Sequence, residues 1–173
     1  MAKIIAGQNA KVLREKENQK KECNCTKNKT CPLDKKCQTK NLIYQATVKK
    51  PNNGKSFYIG LTSTDFKKRL GVHHQSFRDP EVNQTSLSKH IWKLRSQGIE
   101  PEVTWKLIDR GKPYSPDHNV CQLCIKEKFY IIYRPKMTTI NSRKEIFNSC
   151  IHKKSALLIK IERKSRKKKS PGN

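Results

Sequence analysis

Apolar and polar positions change period along this chain, and the changes mark its elements. "LIYQATVKK" sets Leu42, Tyr44, Ala46 and Val48 against Ile43, Gln45, Thr47 and Lys49, the two-residue alternation of a strand. "PNNGK" is turn chemistry and "SFYIGL" a second strand, so residues 42–61 form a hairpin. The period then becomes helical, because Phe66, Leu70, His73 and Phe77 follow one face of a helix. Thr62, Ser63 and Thr64 offer that helix an N-cap, and Gly71 weakens it without ending it. A second helix runs from about Ser86 to Gln97 on the stripe Leu87, Ile91 and Leu94, with Gly98 as its stop. "EVTWKLID" is a third strand. After a loop with Pro113 and Pro116, a third helix covers roughly Val120 to Tyr133 and ends before Pro135. "MTTIN" is extended.

The order strand, strand, helix, helix, strand, helix predicts a small α/β domain of the α+β kind. Its sheet is three-stranded, mostly antiparallel and flanked by helices. This domain takes residues 41–152. Residues 1–22 read as a linker or a frayed helix. Residues 23–40 hold four cysteines in a short polar, zinc-knuckle-like extension, and residues 153–173 form a basic, disordered tail.

Charge narrows the function. Lys and Arg total 39 against 14 Asp and Glu, a formal charge of +25 over 173 residues. Such a field attracts polyanions, and nucleic acid is the default partner. An anionic membrane fits less well, because no long basic amphipathic helix or lipidation motif occurs. No secretory h-region and no membrane-spanning run is found. The chain is therefore expected inside the cell with reduced thiols, and the N-x-T triplets at Asn28 and Asn83 carry no glycosylation meaning. The tail run "RKSRKKK" suits nuclear localisation and phosphate contact.

Three features carry chemistry. Arg69 and His73 lie one helical turn apart at the edge of the Phe66 face, close to the Tyr58 strand. An Arg over a phosphate with a His beside it suits a scissile phosphodiester. The plainer reading is a surface Arg and a half-buried packing His. Glu127 shares the stripe of Leu123, Cys124 and Ile131, where a carboxylate is costly unless paired or metal-bound. One carboxylate plus waters is how Mg²⁺ is often held beside phosphates, and a Glu–Lys pair at the stripe's edge is the alternative.

The cysteines are the third feature. Seven cysteines leave one unpaired in any all-disulfide scheme. With His152 they make two tetrahedral sets suited to structural Zn²⁺. The first is Cys23, Cys25, Cys31 and Cys37. The second is Cys121, Cys124, Cys150 and His152, with His118 a weaker substitute for His152. Buried free thiols are the alternative, chiefly for Cys124. His74 and His90 read as structural, His90 with a possible substrate contact.

"LIY" at 42–44, "YIG" at 58–60, "FKKRLGVH" at 66–73, Glu127 and Asn141 resemble the GIY-YIG nuclease family in order and spacing. The frame "CNC…CPL…C…IYQATV…YIGLT…FKKR…H…SF…LSKHIW…CQLC…EKFYII…N…C-x-H" further resembles the endonuclease module of Penelope-like retroelements. "KIIAGQNAKVL" resembles the segment joining that module to a reverse transcriptase. The resemblance implies a divalent-metal-dependent DNA endonuclease that nicks target DNA, with a reverse transcriptase as neighbour in the parent element. The chain is then a detached module, a fragment or a derived gene.

Carried over residue by residue, Tyr44 takes a proton from the attacking water and Tyr58 holds that water or the phosphate. Gly60 permits a tight backbone turn, Arg69 stabilises phosphoryl charge, and His73 moves a proton or orients the water. Glu127 holds one Mg²⁺ or Mn²⁺, and Asn141 supports the site. The family's first-motif Gly is Leu42 here. The resembling modules also carry zinc-finger-like ligands, and no small-molecule cofactor or membrane is implied. Two rivals remain: a non-catalytic zinc-containing nucleic-acid-binding module derived from such a nuclease, and a basic RNA-binding chaperone.

Overall fold

A central strand buried on both faces needs cover on both faces. The computed structural model supplies it, and it describes residues 23–26, 31–51, 54–82, 84–115, 119–150 and 152–153. The expectations for residues 1–22 and 154–173, the two N-x-T asparagines, His118 and the tip of the first turn lie outside them. The elements are β1 (Leu42–Lys49), β2 (Lys55–Thr62), α1 (Phe66–Arg78), α2 (Ser86–Ser96), β3 (Glu102–Arg110) and α3 (Gln122–Tyr133). Two 3₁₀ turns follow, Pro135–Met137 and Arg143–Phe147. The first displaces part of the extended "MTTIN" expectation.

The sheet order is β2-β1-β3, and both pairings are antiparallel. One face of β1 carries Leu42, Tyr44, Ala46 and Val48 into a core with Phe66 of α1 and Leu87, Ile91 and Leu94 of α2. The other face carries Ile43, which packs with Ile59 and with Leu123 of α3. The molecule is thus a helix–sheet–helix sandwich around one nearly solvent-free strand. Even Gln45 is buried there, and its amide reaches the Met137 carbonyl. Polar positions in β1 do not mark a solvent face, because α3 covers it.

Beginning and end of α1 differ from expectation in one respect. The N-cap is Asp65, not a residue of the Thr62–Thr64 run, and its side chain makes no capping bond. The first amides of the helix are satisfied from the cysteine-rich extension: Phe66 N–H donates to the Thr39 carbonyl (3.1 Å) and Lys67 N–H to the Cys37 carbonyl (2.8 Å). Thr62 and Thr64 hydrogen-bond each other and so are not at the cap. The helix α2 starts with a reciprocal capping box, Thr85 with Ser88. It stops at Gly98, whose φ of 74° favours glycine. The Trp92 indole donates to the Ser76 carbonyl (2.9 Å) and ties α2 to α1. The start of α3 is two residues later than read, since Val120 bridges Ser115 and Cys121 is the N-cap.

The free edge of β2 is closed without a fourth strand. Ile140 N–H donates to the Phe57 carbonyl, while the Thr139 hydroxyl accepts from Phe57 N–H. The Asn141 side chain completes the run by accepting from Ile59 N–H and donating to the Ile59 carbonyl, both at 2.8 Å. An edge covered in this way cannot template another strand.

Candidate functional site

Strand pairing sets Tyr44 opposite Gly60, and this placement builds the centre of the site. A Cβ at Gly60 would stand 2.5 Å from the Tyr44 hydroxyl oxygen and 2.9 Å from Tyr58 Cε1. Gly60 therefore lies within a strand and makes room for a phenol; the tight turn expected of it is not there. The Tyr44 hydroxyl then meets two residues of α1. It lies 2.7 Å from His73 Nε2, and it accepts from Arg69 Nε at 3.1 Å. Arg69 and His73 are one turn apart on α1, so one phenol can engage both.

This group is dry. Tyr44 and His73 are both 0% exposed, and Tyr58 is 6% exposed. Phe77 and Trp105 flank the His73 ring with centroids at 6.0 and 5.2 Å. Burial, and then the Arg69 charge, pulls the His73 pKa down to about 3, so its ring is neutral at physiological pH. Its Nδ1 has no partner among the described residues. Burial raises the pKa of both tyrosines, that of Tyr58 well above the usual phenol value. For Arg69 burial acts downward, but Tyr44, Tyr58 and Glu127 outweigh it and its pKa rises.

In front of this group lies a cleft of about 430 Å³. Tyr58 and Arg69 form its floor, Glu127 and Lys128 of α3 one wall, and Thr85, Ser86 and Lys89 of α2 the other. Tyr44 and His73 stand behind this floor and do not line it. Burial, and next the nearby Glu145 charge, pushes the Glu127 carboxyl up to about 7, against the opposing pull of Arg69. Such a carboxyl holds or releases a proton near neutrality.

Glu145 was not foreseen. Its carboxylate accepts from Asn141 Nδ2 at 2.8 Å and from the Ser86 hydroxyl. Asn141 is fully engaged, with two bonds to Ile59 and one to Glu145. Glu145 thus bridges the β2 edge and the first residue of α2. The sequence held one signal: an acidic residue between Asn141 and Cys150, in "NSRKEIFNSC", on a stretch that must pass the site. His90 is half-buried on α2 and does not line the cleft, and His74 is exposed and stacks on Phe77.

Two ligand sets converge. Cys23, Cys25, Cys31 and Cys37 bring their sulfurs within 4.8 Å of one another, and so do the ligand atoms of Cys121, Cys124, Cys150 and His152. A tetrahedral Zn²⁺ with Zn–S of about 2.3 Å and Zn–N of about 2.0–2.1 Å needs S···S near 3.8 Å and S···N near 3.6 Å. The first set has 3.6 Å for Cys25–Cys37 and for Cys23–Cys37. The second has 3.4 Å for Cys124–Cys150, and His152 Nδ1 lies 3.4 Å from Cys121 and from Cys124. These distances fit a metal such as zinc. Burial, aided by hydrogen bonds with the neighbouring thiols, pushes the Cys37 thiol up to about 12, whereas against burial the hydrogen bonds at Cys31 bring that thiol down to about 7; a divalent cation would favour the thiolate at every position.

Comparison with protein-family models, with curated proteins and with solved structures finds no match. No helix among the described residues is long and apolar enough to cross a membrane.

Proposed function

We propose that the chain is a divalent-metal-dependent DNA endonuclease of the GIY-YIG kind. The observation that carries this reading is the Tyr44–Arg69–His73 group set directly behind a cleft that Tyr58, Arg69 and Glu127 line. Residues separated by up to 83 positions in sequence (127 − 44) meet there. The formal charge of +25 supports a polyanionic substrate, and the tail suits a nuclear location.

Arg69 is the group for charge developing on the phosphoryl oxygens, since its guanidinium reaches the cleft while Tyr44 fixes its Nε. Tyr58 meets the attacking water, and Tyr44 anchors Arg69 and His73 from behind. His73 stays neutral and orients the Tyr44 phenol. Glu127 would hold a Mg²⁺ or Mn²⁺ ion, which supplies charge stabilisation to the leaving oxygen. Asn141 and Glu145 hold the β2 edge and the wall of α2 in register. In the retroelement modules that the sequence resembles, such an enzyme nicks DNA to expose a primer for reverse transcription.

A second reading has one observation in its favour. Tyr44 and His73 are fully buried and already bonded to each other, as residues with only a structural role would be. On that reading the chain is a zinc-containing nucleic-acid-binding module without activity. Incubation with supercoiled plasmid separates the two. The nuclease converts it to open circles in Mg²⁺ and not in EDTA, and Glu127→Ala abolishes the conversion. Wild-type protein that binds the plasmid and never nicks it in Mg²⁺ or Mn²⁺ establishes the binding module.

A further inference from the structure

The second ligand set is not remote from the cleft. Cys124 and Glu127 are three residues apart on α3, so both side chains emerge on one side of the helix. Cys124, Asn148, Ser149 and His152 line the cleft together with Arg69 and Glu127.

The chain from Asn141 to His152 is pinned at both ends. At its start Asn141 is bound to Ile59 of β2. At its end Cys150 and His152 converge on Cys121 and Cys124 at the beginning of α3. In between, Glu145 reaches Ser86 of α2, and the Asn148 carbonyl accepts from Lys128 Nζ at 3.0 Å. This stretch therefore touches both walls of the cleft. Its terminal anchor is the ligand set itself, which a metal would hold together.

We infer that the second cysteine–histidine set is a structural wall of the nucleic-acid groove, so that metal occupancy there and nucleic-acid occupancy of the cleft are thermodynamically linked. The inference rests on the nucleic-acid reading of the cleft and not on its catalytic activity. A metal between Cys121, Cys124, Cys150 and His152 fixes the 141–152 stretch, and with it the separation of α2 from α3. A bound strand then meets a preformed groove, and ordering it a second time costs nothing. Linkage is reciprocal, so the strand tightens metal binding by the same factor as the metal tightens strand binding.

Charge says which groups touch the strand. Three thiolates, a neutral imidazole and a divalent cation sum to one net negative charge. The filled set therefore does not bind phosphate itself. That contact falls to Lys89, Lys128 and Arg69, the cations that line the cleft. The role of the metal is to hold those cations at a fixed spacing. The first set, Cys23 to Cys37, lines no part of the cleft and is the internal reference.

The test reads each thiol separately in the wild-type, zinc-loaded chain. The protein is exposed to N-ethylmaleimide with and without saturating 20-base-pair duplex, no Mg²⁺ or Mn²⁺ being added, and alkylation at each cysteine is followed by mass spectrometry. The duplex slows modification of Cys124 and Cys150 by about fivefold or more, in the range of ordinary coupling, and leaves Cys23, Cys25 and Cys31 within about twofold. In a second arm His152→Ala weakens duplex binding by a similar factor and His152→Cys, which restores a ligand, recovers it. Equal protection of both sets means general coating of a basic chain and overturns the inference. So does unchanged modification of Cys124 and Cys150 with the duplex bound, failure of the duplex to bind, or unchanged affinity in His152→Ala. Plasmid nicking is scored on the same preparation: nicking without selective protection keeps the nuclease and loses the linkage, and selective protection without nicking does the opposite.

Discussion

The Tyr44 hydroxyl sits 2.7 Å from His73 Nε2, a fully buried contact between the central strand and α1. Arg69 can only donate, and it already donates to the same oxygen. The phenol oxygen takes the Arg69 proton and shares one further hydrogen bond with His73 Nε2, whose direction is set by the imidazole tautomer. A neutral imidazole bonded to a phenol orients it and fixes the guanidinium beside it.

That arrangement sets a pH dependence of stability. The folded pKa of His73, about 3, lies below its ordinary value of 6.5. The unfolded chain binds the proton in that window and the folded chain does not, so the His73 contribution to stability rises with pH between about 3 and 6.5 and is constant above it. Glu127, raised from 4.5 to about 7, acts in the opposite direction and is common to wild type and variant, so the urea midpoint of the wild type relative to His73→Asn rises from pH 5 to pH 7. An NMR titration in which the His73 ring ionises near 6.5 in the folded protein would contradict this.

Arg69→Ala separates binding from cleavage. Affinity in a chain with 39 Lys and Arg is spread over many small, salt-sensitive contributions, so losing one changes the salt slope by about one at most. Stabilisation of a transferring phosphoryl group is local, and one guanidinium is worth roughly 3 kcal/mol, or 10² in rate. Single-turnover cleavage falls by about that factor while gel-shift affinity changes little. Equal losses of both would make Arg69 an ordinary phosphate contact.

The Glu127 carboxyl is held up at about 7 by burial and by Glu145. A divalent cation competes with that proton, so Mn²⁺ affinity rises with pH across roughly 6 to 8 and levels off above. Titration of Mn²⁺ by electron paramagnetic resonance measures it. A flat profile through this range would detach Glu127 from cation binding.

Gly60→Ala forces a methyl against the Tyr44 phenol, 2.5 Å from its oxygen. Overpacking of that kind costs about 1–3 kcal/mol. Chemical denaturation shows the loss, and the cleavage rate falls further than stability accounts for, because the phenol that fixes Arg69 is displaced. Gly71→Ala is the control: its Cβ meets nothing within 4 Å, and the helix gains by about 0.5–1 kcal/mol.

Metal analysis of protein purified without added zinc gives close to two ions per chain. Cys31→Ser removes one of them and also destabilises α1, whose first amides bond to Cys37 and Thr39. Cys150→Ser removes the other and leaves the start of α1 protected from amide exchange. Protein free of zinc, with intramolecular disulfides despite reduced lysis, would show that the cysteines serve another purpose.

Period carried the fold. The two-residue alternation of residues 42–49 and the helical spacing of Phe66, Leu70, His73 and Phe77 mark β1 and α1 because burial repeats at those intervals. What period did not reveal was the second covered face of the sheet: Gln45 looks like a solvent position until the turn after α3 lies over it. The cap of α1 was illegible for a related reason. It is made by backbone carbonyls from residues about 30 positions upstream (67 − 37), and a carbonyl leaves no trace in residue identity. Within the cleft region, Arg69 and Glu127 were legible from their helical spacing, and Tyr44 through the resemblance to a nuclease motif. Glu145 was not, because its meaning comes only from Ser86 and Asn141, contacts that form after the chain has turned back over the cleft.

The bonds from Phe66 and Lys67 to the cysteine-rich extension divide the labour on one helical turn. A metal between Cys23, Cys25, Cys31 and Cys37 would clamp the backbone of that turn, while the Tyr44 phenol, inside the dry core, clamps the Arg69 side chain. Stripping the metal would therefore loosen the entry of the helix and leave the guanidinium in its place. One turn is held from two directions, and each hold can be released without the other.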